Sequence, residues 1–388
     1  MKSIPYGRQN ITDTDIQAVT NVLKSDFLTQ GPTITEFEKN FAKYVNAKYA
    51  VAVSNGTAAL HLSLLALGIG EGDRVITSPI TFAASANAAL YCGAEVNFAD
   101  IDPETYVISI KEVEKLLDSH PKNHFKAIIP VDFTGYPVNI EDLKELAKKH
   151  NVFILEDACH SPGGYFVDQK NKKQHCGNGA FADAAAFSFH PVKHIAAGEG
   201  GMITTSDEAL YKKLLMLRSH GITKENMTFD IPDADKQGGW YYEMQELGYN
   251  YRITDMQAAL ANSQLQNAEK GIVRRQEIGD KYREAFTDIN LKMQKKDKKH
   301  FNAHHLFIIE VEDRKGLYEF LREHNIFSQI HYIPVHLLTY YKQFGWEVGD
   351  FPNAEKYYKH CISLPMYPTL TNEEQEFVIK QVIEFTEQ

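Results

Sequence analysis

Basic side chains are in short supply: 41 lysines and arginines face 51 aspartates and glutamates, for a formal charge of −10. Nucleic acid and anionic membrane surfaces both reward a basic face, so neither is expected as the main partner. A small anionic ligand is still compatible, because a few backbone amides at a helix N-terminus hold a phosphate locally. Cysteine is scarce as well. Cys92, Cys159, Cys176 and Cys361 are widely spaced and form no C-x-x-C pair, which reads as reduced buried thiols of a cytoplasmic protein. No long apolar run is present. Residues 75–94 carry no charge over about the length that spans a bilayer, but Thr77, Ser78, Pro79, Thr81, Ser85 and Asn87 interrupt them. A strand, a loop and a buried helix fit that stretch better. The opening MKSIPYGRQNITDTD has no apolar core after its lysine, so a signal peptide is not expected. Neither G-x-G-x-x-G nor a P-loop occurs, which argues against nicotinamide and ATP chemistry.

What is present is a rhythm. The chain has 388 residues, 43% of them hydrophobic, enough for two or three domains or one large α/β domain with a satellite. Strands read at 50–54, 74–78, 95–99, 127–131 and 152–155. Helices read between them at 57–67, 82–91, 110–117 and 140–150. Such alternation means right-handed crossovers and a mostly parallel sheet covered by helices, with ligands at the carboxyl ends of the strands. After about Asp255 the rhythm changes. One or two long helices over 256–286 precede a lysine-rich segment at 292–299, read as a solvated hairpin or loop. Strands at 305–311 and 327–330 and helices at 315–324 and 373–386 then complete a smaller α+β unit. The expected domains are 1–260 and 261–388.

Three segments could carry chemistry. Ser54-Asn55-Gly56-Thr57 ends a strand and opens a helix, so Gly56 and Thr57 could bind a phosphate, although a plain helix cap has the same letters. Asp157, in Glu156-Asp157-Ala158-Cys159-His160, follows an apolar strand, where either a helix cap or a catalytic carboxylate fits. Lys193 lies between His190 and His194 in a nearly uncharged stretch that begins Phe187-Ser188. A lysine is usually solvated, but one desolvated near other cationic groups has a lowered pKa and becomes a nucleophile. A phosphate cradle, a carboxylate and an amine in this order are what pyridoxal phosphate requires: an anchor, a partner for the pyridinium nitrogen, and a bond to the aldehyde. Phe82 could stack on the ring or simply pack in the core.

These residues resemble the DegT/DnrJ/StrS family of sugar-nucleotide aminotransferases. The similarity runs along essentially the whole chain: Asp26-Phe27-Leu28-Thr29-Gln30-Gly31-Pro32, the Ser54 to Leu60 turn, Thr81-Phe82, Glu156-Asp157-Ala158, Phe187 to Lys193, Glu199-Gly200-Gly201, Arg218-Ser219-His220-Gly221, Gly248-Tyr249-Asn250-Tyr251-Arg252 and Gln329-Ile330-His331-Tyr332. The resemblance implies a fold-type I, aspartate aminotransferase-like architecture with pyridoxal 5'-phosphate bonded to Lys193. It implies that Asp157 pairs with the pyridinium nitrogen and that His160, where many relatives have glutamine, contacts the ring or its 3-oxygen. Gly56, Thr57 and Ser188 would hold the phosphate, and Asn250 would reach the phosphate of a neighbouring subunit in a homodimer. Tyr6, Asp26, Phe27, Leu28, Thr29 and His331 would contact a nucleotide sugar. L-glutamate would be the amino donor and 2-oxoglutarate its product, with Arg218 or Arg252 binding the glutamate carboxylate unless salt bridges occupy them. No metal is implied. The wording Phe189-His190-Pro191-Val192-Lys193, with His331 to His336, is similar to the pseudaminic acid branch, whose substrate is a UDP-linked 4-keto sugar. An aminotransferase for another UDP- or dTDP-keto sugar is the alternative, and a non-catalytic sensor with the same fold is a remote one.

Overall fold

The Gly56–Ala66 helix is apolar on almost every side because it has no solvent face. It lies between the central sheet and two further helices, Ala83–Tyr91 and Glu208–Arg218, with Leu60, Leu62 and Leu64 buried. This arrangement comes from a computed structural model of the chain, which describes residues 3–224 and 238–387. The sheet has seven strands in the order Tyr49–Val53, Gly201–Thr205, Ala184–Ser188, Phe153–Asp157, Ala127–Ile129, Arg74–Thr77, Glu95–Phe98. Gly201–Thr205 pairs antiparallel with both of its neighbours, and the remaining pairs are parallel. The architecture is the expected α/β fold-type I one. No helix among the described residues is long and apolar enough to cross a membrane.

Beyond this sheet, Lys292–Met293, Phe307–Glu310 and Cys361–Leu364 form a three-stranded antiparallel sheet. Its apolar core, with Ile309, Ile362 and Leu364, is separate from that of the large sheet and includes residues of the closing Asn372–Thr386 helix. We propose the division near residue 260 with one amendment. The first strand, Ile4–Pro5, pairs with Ile326–Phe327, and Ile4 is buried in the C-terminal core.

Several local expectations differ from the structure. The helical stretch around 256–286, read as one or two helices, is not among them: it is two, Asp255–Gln266 and Ala268–Ala285, which meet at Asn267. Of the strand expected at 327–330, only Phe327 lies in a paired strand, Ile326–Phe327, and Gln329 makes an isolated bridge to Ser363. The lysine-rich segment is not wholly solvated. It opens as a strand, and Gln294 is buried, accepting from Thr134 Oγ1 at 2.6 Å and donating to the Thr105 carbonyl at 2.5 Å. The strands Ala184–Ser188 and Gly201–Thr205 had no period to announce them. The first is alanine-rich and the second opens on a glycine, residue types that do not favour strands, and neither was among the elements read from the sequence.

Candidate active site

The carboxyl ends of the parallel strands open into one cavity of about 830 Å³. Its first wall is the Gly56–Ala66 helix N-terminus. Asn55 caps that helix, accepting from the Ala58 amide at 2.8 Å. Capping and ligand binding do not compete here, because the amides of Gly56 and Thr57 in the first turn have no intrahelical carbonyl to pair with. Two glycines permit the approach. A Cβ on Gly56 would sit 2.9 Å from Ser188 Cβ, and one on Gly201 would sit 2.4 Å from the Asn55 carbonyl oxygen. Ser188 thus stands beside the open amides.

Asp157 ends its strand at the floor of the cavity. It accepts from the Ser85 hydroxyl at 2.6 Å and from the Cys159 amide at 3.2 Å, and no helix follows it, so it caps none. Ser85 in turn is hydrogen-bonded to Thr81 at 2.7 Å. Sequence reasoning missed Ser85, which carries no motif and is brought here only by the Ala83–Tyr91 helix. Glu156 points to the opposite face of the strand, where burial and the nearby Asp132 carboxyl push its pKa well up.

Lys193 is partly buried rather than solvated. Its Nζ lies 3.3 Å from Nε2 of His305, another residue the sequence did not flag. Burial lowers its pKa to about 8, opposed by the Cys159 thiol and the Asp157 carboxylate. His160 is buried and its pKa is held well below the ordinary value by burial and by Lys193. One edge of its neutral ring faces the Tyr332 hydroxyl at 3.4 Å, while Nδ1 is buried without a partner among the described residues. Phe82 is 61% exposed, so its ring is not core packing. Tyr332 stands 6.1 Å from it, centroid to centroid. Tyr6 and His331 close another side with rings 5.1 Å apart, and burial pushes the His331 pKa down to about 3.

The same cavity therefore gathers Tyr6, Gly56, Thr57 and Phe82 from the first third of the chain. Asp157, His160, Ser188 and Lys193 come from the middle and His331 from the C-terminal unit. Asp26, Phe27, Leu28, Thr29 and Asn250 lie outside it. Asp26 to Thr29 and Asn250 are exposed, and the 26–29 segment is tied down by the Asp255 amide on the Leu28 carbonyl. Arg218 is engaged elsewhere, with Nη1 2.5 Å from Glu38 and 2.7 Å from the Ala52 carbonyl, so a salt bridge occupies it. Arg252 does not line the cavity either.

These residues fit pyridoxal phosphate. Open helix amides beside a serine suit its phosphate, and a buried carboxylate suits its ring nitrogen. The lysine of lowered pKa suits its aldehyde, and the unpartnered Nδ1 of His160 adds a polar group on the cavity wall.

Comparison with known proteins agrees. The sequence pattern of the DegT/DnrJ/EryC1/StrS aminotransferase family matches residues 9–383. The chain is 39% identical to the spore coat polysaccharide biosynthesis protein SpsC of Bacillus subtilis, covering 98% of this chain and 96% of that one. It is 35% identical to a UDP-4-amino-4,6-dideoxy-N-acetyl-beta-L-altrosamine transaminase of Campylobacter jejuni, covering 97% and 95%. Among solved structures, the pyridoxal phosphate form of the sugar aminotransferase Spr1654 of Streptococcus pneumoniae superposes with a TM-score of 0.89 at 28% identity, covering 99% of each chain. Helicobacter pylori PseC, an aminotransferase of pseudaminic acid biosynthesis, gives 0.88 at 30% identity over 100% of each. The chain belongs to the DegT/DnrJ/EryC1/StrS aminotransferase family and is a pyridoxal phosphate-dependent sugar aminotransferase.

Proposed function

We propose that this enzyme moves the amino group of L-glutamate to the C4 ketone of a nucleotide-linked 4-keto-6-deoxy sugar. The substrate we infer is UDP-2-acetamido-2,6-dideoxy-β-L-arabino-hexos-4-ulose, and the product is UDP-4-amino-4,6-dideoxy-N-acetyl-β-L-altrosamine, a step of pseudaminic acid biosynthesis in the cytoplasm. The observation that carries the reaction type is the meeting of Lys193, Asp157 and the open amides of Gly56 and Thr57 in one cavity. The likeness to the Campylobacter transaminase supports the sugar. The similarity to SpsC, at a comparable level, favours another nucleotide-linked keto sugar as the second reading.

Gly56, Thr57 and Ser188 would hold the cofactor phosphate, and Asp157 would pair with the ring nitrogen. Phe82 and His160 would contact the ring, and Lys193 would hold the cofactor at its aldehyde. When bound, pyridoxal phosphate supplies an electron sink for the pair left behind when a proton departs from the carbon beside the nitrogen. Asp157 would keep the ring nitrogen protonated, which deepens that sink. Nζ of Lys193, the amine of lowered pKa in the cavity, would take the proton from Cα of glutamate. In the second half of the reaction it delivers a proton to C4 of the sugar. A positioned base of this kind contributes about 10² to 10⁴-fold. Tyr6, His331 and Tyr332 close the cavity and limit water, which would otherwise compete for the reactive carbon. Tyr6 and His331 would meet the nucleotide sugar from within the cavity, and the 26–29 segment, which lies outside it, would meet the sugar bound to the neighbouring subunit of a homodimer.

The reading includes a homodimer in which Asn250 reaches the neighbouring subunit's phosphate. The large apolar side chains left exposed, Phe27, Leu28, Trp240 and Leu247, support a covering partner. A panel of keto sugar nucleotides incubated with glutamate, scored by product mass and position of the new amine, tests the substrate. Turnover of another sugar with none of the UDP-4-keto sugars overturns it. Lys193→Ala is expected to abolish turnover, and a near-normal rate in that variant refutes the assignment of the base.

A further inference from the structure

We propose that His305 is a positioning residue for Lys193, giving its Nε2–H to the lone pair of the unprotonated amine and so holding Nζ toward the cavity in its reactive form. The inference rests on Lys193 being the residue that bonds the cofactor. Nε2 of His305 lies 3.3 Å from Nζ of Lys193, and the histidine is only 4% exposed. Its other ring nitrogen, Nδ1, is buried with no hydrogen-bond partner among the described residues. A buried N–H without an acceptor is rarer and costlier than an acceptor without a donor, so the ring proton belongs on Nε2, where Nζ can receive it. Only the neutral amine has a lone pair for this bond. An ammonium would set N–H against N–H, and relieving that clash would move the ring proton to Nδ1, where nothing accepts it. The tautomer of His305 and the protonation of Lys193 are therefore coupled.

The surroundings keep the ring in place and uncharged. The His305 amide donates to the Thr134 carbonyl at 2.7 Å. Arg275, 2% exposed, donates from Nη1 to the carbonyls of His304 and Met366 at 2.9 Å each and to that of His305 at 3.4 Å. The groups that face Lys193 and His305 are Asp157, Cys159, His160, His194, His331 and Arg275. Asp157 is the one carboxylate among them. The His160 ring is 4.3 Å from that of His305, and a positive charge on His305 would meet Arg275 and Lys193 with little to offset it.

The test follows trace acetylation of cofactor-free enzyme across the alkaline range, with the modification of Lys193 quantified by peptide mass spectrometry. Exposed Lys315 serves as the internal control. In His305→Gln and His305→Phe the Lys193 midpoint is expected to rise from about 8 by about half a unit to one unit, while Lys315 does not move. A midpoint that stays or falls overturns the proposal. A ring that only filled space would leave the midpoint alone. Borohydride reduction of the wild-type holoenzyme separates the two readings. A cofactor tag on another peptide sinks the site assignment, whereas a tag on Lys193 with an unmoved midpoint sinks this inference alone. Should neither variant fold, nitrogen-15 histidine spectra of the wild type decide. The ring signal that moves when Lys193 is acetylated must be in the Nε2–H form, and a Nδ1–H form overturns the proposal.

Discussion

Replacing Asp157 by asparagine isolates the charge at the cavity floor. The side chain keeps its shape, and its surroundings can adapt. The Ser85 hydroxyl, now 2.6 Å from Oδ2 as a donor, can turn and accept from the new amide NH₂, and the Cys159 amide can still donate to Oδ1. What disappears is the negative charge in a site 5% exposed, where a charge-assisted hydrogen bond is worth about 1.5–3 kcal/mol. With RT near 0.59 kcal/mol, that corresponds to about 10- to 150-fold weaker cofactor affinity. The effect on kcat should be larger, on the order of 10²-fold, because the charge also sustains the electron sink as the reaction proceeds. A second signature has the opposite sign from a simple loss of fold. The Asp157 carboxylate raises the pKa of Lys193, so its removal shifts the Lys193 titration below about 8. Cofactor reconstitution followed by absorbance gives the affinity, steady-state kinetics the rate, and amine labelling of the cofactor-free protein the titration. Wild-type affinity and rate in Asp157→Asn would refute the reasoning, since Glu199, the other carboxylate residue lining the cavity, lacks the Ser85 hydroxyl and Cys159 amide contacts that hold Asp157 in place.

Acid should destabilise the fold through its buried histidines. His160, His194, His304, His305 and His331 all have folded pKa values below the ordinary 6.5, with His304 and His331 at about 3. Below about pH 6.5 the unfolded chain binds more protons than the folded one, so stability falls as pH drops through the window from about 6.5 to about 3. Each ring contributes up to ~1.4 kcal/mol per pH unit. Urea midpoints at neutral pH and near pH 5 check this, and equal midpoints contradict it. Gly201→Ala places a Cβ within 2.4 Å of the Asn55 carbonyl, so it should displace the helix N-terminus and impair cofactor retention more than overall stability. Cofactor content after gel filtration, compared with the thermal midpoint of the cofactor-free protein, separates the two effects. Asp255→Ala removes the carboxylate that accepts from Gly31 N at 2.8 Å and Thr33 N at 3.2 Å at the start of the Pro32–Val45 helix. A loss of about 1–3 kcal/mol in urea unfolding is expected, with the 26–29 segment loosened.

The order strand, helix, strand over residues 50–155, and with it most of the parallel sheet, was legible in the sequence because those elements carry their own period or apolar run, whereas Ala184–Ser188 and Gly201–Thr205 do not. The same holds for the sugar aminotransferase character, since Ser54 to Leu60, Glu156-Asp157-Ala158 and Phe187 to Lys193 are local motifs. Their meeting in one cavity follows from the rule that parallel strands present their carboxyl ends together. Local sequence could not decide whether Lys193 is solvated, whether Asp157 caps a helix, or whether Arg218 is free, because burial and partners come from segments far away in the chain. His305 lies 112 residues from Lys193, and Glu38 lies 180 from Arg218. Ser85 reaches Asp157 across 72 residues, inside a helix with no distinguishing letters. Sequence alone determined which chemical groups this protein owns and in what order. The tertiary structure decided their electrostatics, because a pKa depends on what surrounds the group in space, and those neighbours are set by the packing of the sheet and its helices.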